Sequence, residues 1–237
     1  YTVDEEGNLY VFGLKEVIDE ENTFINFLHK YDLDGELIFS KEFDDIMSSA
    51  TAMTVIDNKV YFTYSIFDYI EDSYYNTIYY YDIETGVLEH FLDLDLFARI
   101  KQLVYMDERI YILGDMIQST NLTSMTEESY QSKGEKLIYY SFKDEQLYNL
   151  GIDVPISISP NSDGTLMIYS YFDNEGYCFI KYDPREDVTK VVAKLDMGKF
   201  DFFATSSNGE EVIYNTKDNY IKVLLPPLSI TILKLKN

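Results

Sequence analysis

Short apolar runs and small polar clusters alternate along this chain, and the alternation keeps a rhythm. The stretch "DEEGNLYVFG" at 4–13 returns as "VIDNKVYFTY" at 55–64 and "YMDERIYILG" at 105–114. It returns again as "NSDGTLMIYS" at 161–170 and "SSNGEEVIYN" at 206–215. Each time a polar group carrying Asp, Asn or Gly is followed at once by residues that favour strands. Aligned on the aromatic position, Tyr10, Tyr61 and Tyr111 lie 51 and 50 residues apart, and Met167 and Ile213 follow at 56 and 46. A second marker keeps the same phase: "HKYDLDGELI" at 29–38, "YYYDIETGVL" at 79–88, "YYSFKDEQLY" at 139–148 and "IKYDPREDVT" at 180–189.

Within one period the runs number four. In the second period they are 52–57, 59–65, 76–82 and 86–92, rich in Val, Ile, Tyr and Phe and bounded by Gly, Asp and Asn. Such runs read as strands joined by hairpins. No stretch sustains a 3.6-residue apolar period with caps, so little helix is expected. A fixed period near 50 residues with four strands per period describes β-propeller blades. The middle runs, "VYFTY" and "TIYYY", are apolar almost throughout, as expected of strands covered on both faces. The expectation is an all-β fold: one β-propeller domain of about five four-stranded antiparallel blades over 1–45, 46–94, 95–152, 153–195 and 196–237. The chain opens on Tyr1, which reads as a mature or trimmed product and as part of a larger protein or propeller.

"DEEGNLYV", "NTIYYYDIETG" and "ISISPNSDGTLMIYS" resemble blades of bacterial propellers of the TolB and WD40-like kind. Those repeats carry an "SPDG"-type turn before the second strand and a "YDxxTG" turn after the third. Here the first turn is lengthened to "SPNSDG", and the second is intact only as "YDIETG". The resemblance implies the fold and a habit of binding, and no particular ligand.

Strand direction sorts the connections into two ends. Those from first to second and third to fourth strands are tight, and Gly, Asn and Asp there supply the backbone angles of hairpin turns. Those from second to third strand read as long and irregular at 65–76 and 115–135, with 170–176 beside them. Loops of more than about 12 residues without structure are usually functional or disordered. Their Tyr69, Tyr74, Tyr75, Tyr130 and Tyr171, among Asp68, Glu71 and Asp72, form a candidate aromatic-acidic binding rim. Tyrosine joins large contact area to a polar handle, which suits a protein or carbohydrate partner. The plain structural alternative is that these rings pack the loops onto the blades.

Charge and chemistry narrow the picture further. The 237 residues hold 19 Lys and Arg against 42 Asp and Glu, a net charge of −23, which repels phosphate backbones; no nucleic-acid partner is expected. No apolar stretch approaches the roughly 20 residues of a membrane helix, so no membrane insertion by this chain is expected. The two histidines, His29 and His90, and the single Cys178 all sit inside strand-like runs. No metal site and no cofactor are expected from them. "DLDGE" at 32–36 lacks the twelve-residue ligand pattern of a calcium loop and reads as a hairpin turn.

Carboxylates are the one catalytic group in supply. The leading expectation is a tyrosine-rich, acidic, non-enzymatic recognition propeller, extracytoplasmic (secreted or at the cell surface) in a bacterium. The alternative is a glycan-processing propeller using a carboxylate pair, for instance among Asp93, Asp95, Asp153 and Asp201.

Overall fold

The computed structural model describes residues 1–17, 23–43, 50–68, 73–94, 96–116, 134–172, 176–195, 213–215 and 220–222. The described residues form strands and turns. The first sheet runs β1 (Thr2–Val3), β2 (Leu9–Val17), β3 (Thr23–Tyr31) and β4 (Leu37–Phe43). The second holds β5 (Met53–Ile56), β6 (Lys59–Asp68), β7 (Ser73–Asp82) and β8 (Leu88–Asp93). The third holds β9 (Phe97–Met106), β10 (Arg109–Met116), β11 (Glu135–Ser141) and β12 (Gln146–Asn149), and the fourth β13 (Pro155–Pro160), β14 (Leu166–Phe172), β15 (Gly176–Asp183) and β16 (Val188–Leu195). Each sheet is a meander whose sequence neighbours are hydrogen-bonded neighbours. In the stretch expected to form a fifth blade, β17 (Ile213–Asn215) pairs antiparallel with β18 (Tyr220–Lys222).

The recurrent Asp is a turn device. Asp4 accepts the backbone N–H of Glu6 at 3.0 Å and of Asn8 at 2.8 Å. Asp32 does the same for Asp34 and Glu36, and Asp82 for Glu84 and Thr85. Asp163 accepts from Thr165 and Asp183 from Arg185. A side-chain oxygen two residues back satisfies N–H groups that the turn leaves without a ladder partner. Where the connection is only two residues, the backbone turns left-handed: Asp107 and Glu108 both have φ of 53°. That pair of angles matches the right-handed twist of the flanking strands.

The third-to-fourth-strand register slips in the same way in three sheets, at Lys30/Tyr31, Ile78/Tyr79 and Phe179/Ile180. Such a slip raises local twist. The fourth strands are the exposed ones: β12 is exposed along its whole length and β8 over its first half.

The chain divides into two compact units, Tyr1–Tyr105 with Gly114–Gly134, and Met106–Leu113 with Glu135–Asn237. In the first unit, Tyr10, Leu28 and Phe43 of one sheet and Met53, Val60, Phe62 and Tyr81 of the next form a buried cluster. Phe12 meets Phe62 with ring centroids 4.8 Å apart, and Phe43 meets Tyr81 edge-on at 5.3 Å. In the second unit, the Arg109 guanidinium lies 5.0 Å over the Tyr139 ring and donates to the Tyr182 hydroxyl and the Pro184 carbonyl. Tyr182 in turn donates to Asp187 at 2.9 Å. The Phe12–Phe62 and Phe43–Tyr81 contacts join the first sheet to the second, and the Arg109–Tyr182 and Arg109–Pro184 bonds join the third to the fourth, which is how repeated sheets that cannot bury both faces alone become a core.

Candidate functional site

The stretch 65–76, expected to be an irregular loop, is instead mostly strand. β6 and β7 pair in unbroken register from Lys59↔Asp82 to Asp68↔Ser73, so only 69–72 connects them. The physical reason is in the residues: Ile66, Phe67, Tyr74 and Tyr75 favour strands. The stretch 170–176 is likewise strand through Phe172 and again from Gly176, paired Phe172↔Gly176.

Of the residues expected in the binding rim, Tyr69, Glu71, Asp72 and Tyr130 lie outside the described residues. Asp68, Tyr74 and Tyr75 come together on the outer part of the β6–β7 hairpin, and Tyr75 is 36% exposed there. Tyr171 is half-buried on β14, its ring 4.9 Å from that of Tyr177, which stacks on Tyr169 at 5.6 Å. Tyr171 thus packs onto its own sheet.

The lengths of the ladders produce a feature that the sequence pattern did not display. β5 pairs with β6 only at residues 59–62, and β8 with β7 only at 77–81. Three pairs, Ile66↔Tyr75, Phe67↔Tyr74 and Asp68↔Ser73, therefore extend past both flanking strands. The first sheet repeats this arrangement. β1 pairs with β2 only at Leu9 and Tyr10, and β4 with β3 only from Asn26 onward. Lys15↔Ile25, Glu16↔Phe24 and Val17↔Thr23 then extend beyond both. Among the described residues, each of these two hairpins therefore continues as a two-stranded arm.

The β2–β3 arm carries apolar side chains into solvent. Phe24 is 59% exposed and Leu14 49%. Leu14 faces Asn26 across the ladder and Phe24 faces Glu16, so period-two alternation puts Leu14 and Phe24 on one face. Further down, that face carries Leu28, which is fully buried, and Phe12, which packs on Phe62. The apolar stripe that builds the core runs on past it into the arm. Lys15 reaches Glu42 at 3.3 Å with both partners half exposed, a contact worth little to stability.

At the opposite end of these two sheets, the turns at 4–8 and 57–58 border a cavity of about 400 Å³, with Asp4, Glu5, Glu6, Ile56, Asp57 and Tyr105 in its lining. Asp4 is held firmly: it accepts from Asn8 Nδ2 at 2.9 Å and from the Tyr10 hydroxyl at 3.0 Å, and Lys30 stands 3.6 Å away. Burial alone would raise its pKa, and these hydrogen bonds with Lys30 outweigh that and hold it below the ordinary carboxylate value. In the sequence these turns carry turn chemistry alone. The signal that points to the cavity is the pair of acidic turns at equivalent repeat positions, brought together only by packing of the sheets.

The carboxylates considered for glycan chemistry do not assemble into a described pair. Asp93 is exposed and meets His90 Nε2 at 2.7 Å on the outer edge of its sheet. Asp153 offers its backbone carbonyl to the Ser170 hydroxyl, and Asp95 and Asp201 lie outside the described residues. His29 bonds the Tyr31 hydroxyl at 3.1 Å, and Cys178 is buried. Among the described residues, no group of three or more His, Cys, Asp or Glu could hold a metal ion, and no helix is long and apolar enough to cross a membrane.

The sequence matches no protein-family profile and no curated protein. Solved structures do match. The β-propeller domain of the Trilobed protease from Pyrococcus furiosus, described as having an open velcro topology, superposes with a TM-score of 0.52 at 18% identity. That match covers 79% of this chain and 52% of the other. The Synechocystis apocarotenoid oxygenase Glu150Asp mutant gives 0.52 at 9% identity, covering 79% of this chain and 46% of the other. This chain has the β-propeller fold. It spans about half the length of the solved structures it matches, and at these identities the likeness concerns the fold alone.

Proposed function

We propose that this chain is a recognition and scaffold β-propeller that binds a partner through the hairpin end of its sheets. The observation that carries the reading is the outer part of the β2–β3 hairpin, which presents Leu14 and Phe24 to solvent. Exposed large apolar side chains on a projecting element, rimmed by charge, are the mark of an interaction site. Aliphatic Leu14 beside Phe24 suits a protein partner better than a sugar, which prefers flat aromatic platforms and convergent polar groups. Tyr75 on the second arm adds an amphipathic contact of the kind that protein interfaces favour.

The finer placement rests on motifs. The "YDIETG" and "SPNSDG" turns support kinship with TolB and WD40-like repeats, since Asp82 and Asp163 play the same turn-closing role in both. That kinship supports an extracytoplasmic setting in a bacterium. The net charge of −23 supports a partner other than nucleic acid. The test is a screen of the intact chain against a displayed peptide and protein library and, in parallel, a glycan array. Retention of specific protein ligands is the expected result. Hydrolysis of an arrayed glycan, or binding confined to glycans, would overturn the reading.

A further inference from the structure

We propose that the Tyr148–Asp144 pair is a one-electron oxidation site: an oxidant takes an electron from the phenol while the carboxylate takes its proton. The product is a neutral tyrosyl radical at the surface, which couples with a second phenol.

The hydrogen bond supplies the first argument. Tyr148 of β12 is 40% exposed, and its hydroxyl donates to Asp144 Oδ2 at 2.5 Å across the β11–β12 turn. That bond pushes the Tyr148 phenol above its ordinary pKa, so the proton is in place at neutral pH. An electron leaves such a phenol readily only when the proton leaves with it, and the acceptor must stand within hydrogen-bond reach. Asp144 is that acceptor: the same bond holds it below the ordinary carboxylate value, so it is ionised and able to take the proton.

The surrounding rings supply the second. Tyr148 stacks on Tyr139 with centroids 5.1 Å apart and planes 21° from parallel. Tyr139 meets Tyr111 at 5.7 Å, and Tyr111 meets Tyr182 edge-on at 6.2 Å, which offers the electron vacancy a path inward. The Arg109 guanidinium, 5.0 Å over the Tyr139 ring, puts a positive charge against that path. The radical therefore stays on Tyr148.

Other phenols that donate to carboxylates are less suited. Tyr10, bonded to Asp4, and Tyr182, bonded to Asp187, are buried beyond the reach of an oxidant. Tyr80 donates to Glu89, but Lys59 Nζ lies 4.7 Å over its ring and opposes loss of an electron. What lies against the Tyr148 ring is Tyr139, a second electron-rich ring.

The chemistry balances. Each phenol gives one electron to the oxidant, of the one-electron class that haem peroxidases present to phenols, and one proton, which at Tyr148 passes through Asp144 to water. Two such radicals join carbon to carbon beside their hydroxyls. The hydrogen on each joined carbon moves to its oxygen, so both phenols are restored. Two copies of this chain, each carrying −23, repel one another, which favours a phenol from elsewhere as the second partner.

The test illuminates the intact chain with ruthenium tris-bipyridine and persulfate in excess N-acetyltyrosine amide, and maps phenol addition by peptide mass spectrometry. Expected is addition concentrated at Tyr148, weaker at Tyr80, and absent from Tyr10 and Tyr182. Tyr148→Phe should remove it without passing it to Tyr139. Asp144→Asn keeps the shape of the side chain but loses the proton acceptor, and should lower addition at Tyr148 by at least about tenfold. Unchanged circular dichroism separates that loss from unfolding, which would instead spread addition to Tyr10 and Tyr182. The map of the unchanged chain stands as a test by itself if that variant fails to fold. Addition at Tyr148 no greater than at Tyr80, addition at Tyr139 in its place, or full addition in folded Asp144→Asn would each overturn the proposal.

Discussion

The carbonyl oxygen of Arg99 lies 2.5 Å from the point a Cβ on Gly114 would occupy, with Phe97 Cδ1 at 2.7 Å and Ile100 Cα at 3.2 Å. Gly114 of β10 is there because the backbone of β9 leaves no room for a side chain. Gly13 of β2 holds the equivalent place in the repeat, but for another reason: what its Cβ would meet is the far end of the Phe27 ring, at 2.5 Å. A backbone carbonyl is fixed by its ladder, whereas a half-exposed ring can swing aside.

Two substitutions at one repeat position should therefore differ. Gly114→Ala should destabilise by about 1–3 kcal/mol, the usual range for overpacking against rigid neighbours. Gly13→Ala should stay within about 0.5 kcal/mol. Urea midpoints of the two variants check this, and equal shifts would contradict it.

Phe62 tests the packing of the first two sheets. It is fully buried and meets Phe12 at 4.8 Å and Phe43 at 6.1 Å. Phe62→Ala should cost about 3–5 kcal/mol, by lost transfer energy and the cavity left behind. A shift below about 1 kcal/mol in denaturant titration would mean that these sheets do not share a core.

Alkaline pH should unfold the protein by way of its buried tyrosines. Burial pushes the Tyr111 phenol up from the ordinary 10.0 to about 12. Burial, together with hydrogen bonds to Asp4 and Asp187, raises Tyr10 and Tyr182 as well, and burial raises Tyr169. A raised folded-state pKa means that the fold holds the proton more tightly than the unfolded chain does. The stabilisation is complete below pH 10.0 and falls away as pH climbs through 10.0 toward 12. Tyrosinate absorbance followed with circular dichroism should show exposed phenols titrating first and the last ones ionising together with loss of strand signal. Full tyrosine ionisation with the fold intact would contradict this.

Much of the fold was legible in residue spacing, because each turn requires its own Asp, Asn or Gly and each strand its own apolar run. Asp4, Asp82 and Asp163 close turns where the repeated phrase places them. The end proposed for binding was far less legible. Ser65–Asp68 and Ser73–Asn76 look like loop because Ser, Asp and Asn interrupt the apolar runs there, yet they pair residue for residue. The cavity bordered by Asp4 and Asp57 joins turns about fifty residues apart, and spacing along the chain carries no distance in space.

The β10–β11 connection offers a test of architecture against recognition. Its base is closed by a backbone bond from Met116 N–H to the Gly134 carbonyl at 3.3 Å. Replacing 117–133 by a brief Gly-Asn turn should leave stability within about 1 kcal/mol, since closure entropy changes slowly with length. Thermal melting checks this, and loss of the cooperative transition would show that the segment is structural.

The most direct test of the recognition account is a partner titration with three proteins: the unchanged chain, a Leu14→Ser/Phe24→Ser variant, and Glu145→Ala in the turn between β11 and β12. Both substituted sites are exposed, so all three should melt alike. The account predicts that the arm variant loses at least about tenfold in affinity, some 1.4 kcal/mol, while Glu145→Ala binds as the unchanged chain does. Undiminished binding by the arm variant, or an equal loss in Glu145→Ala, would contradict it.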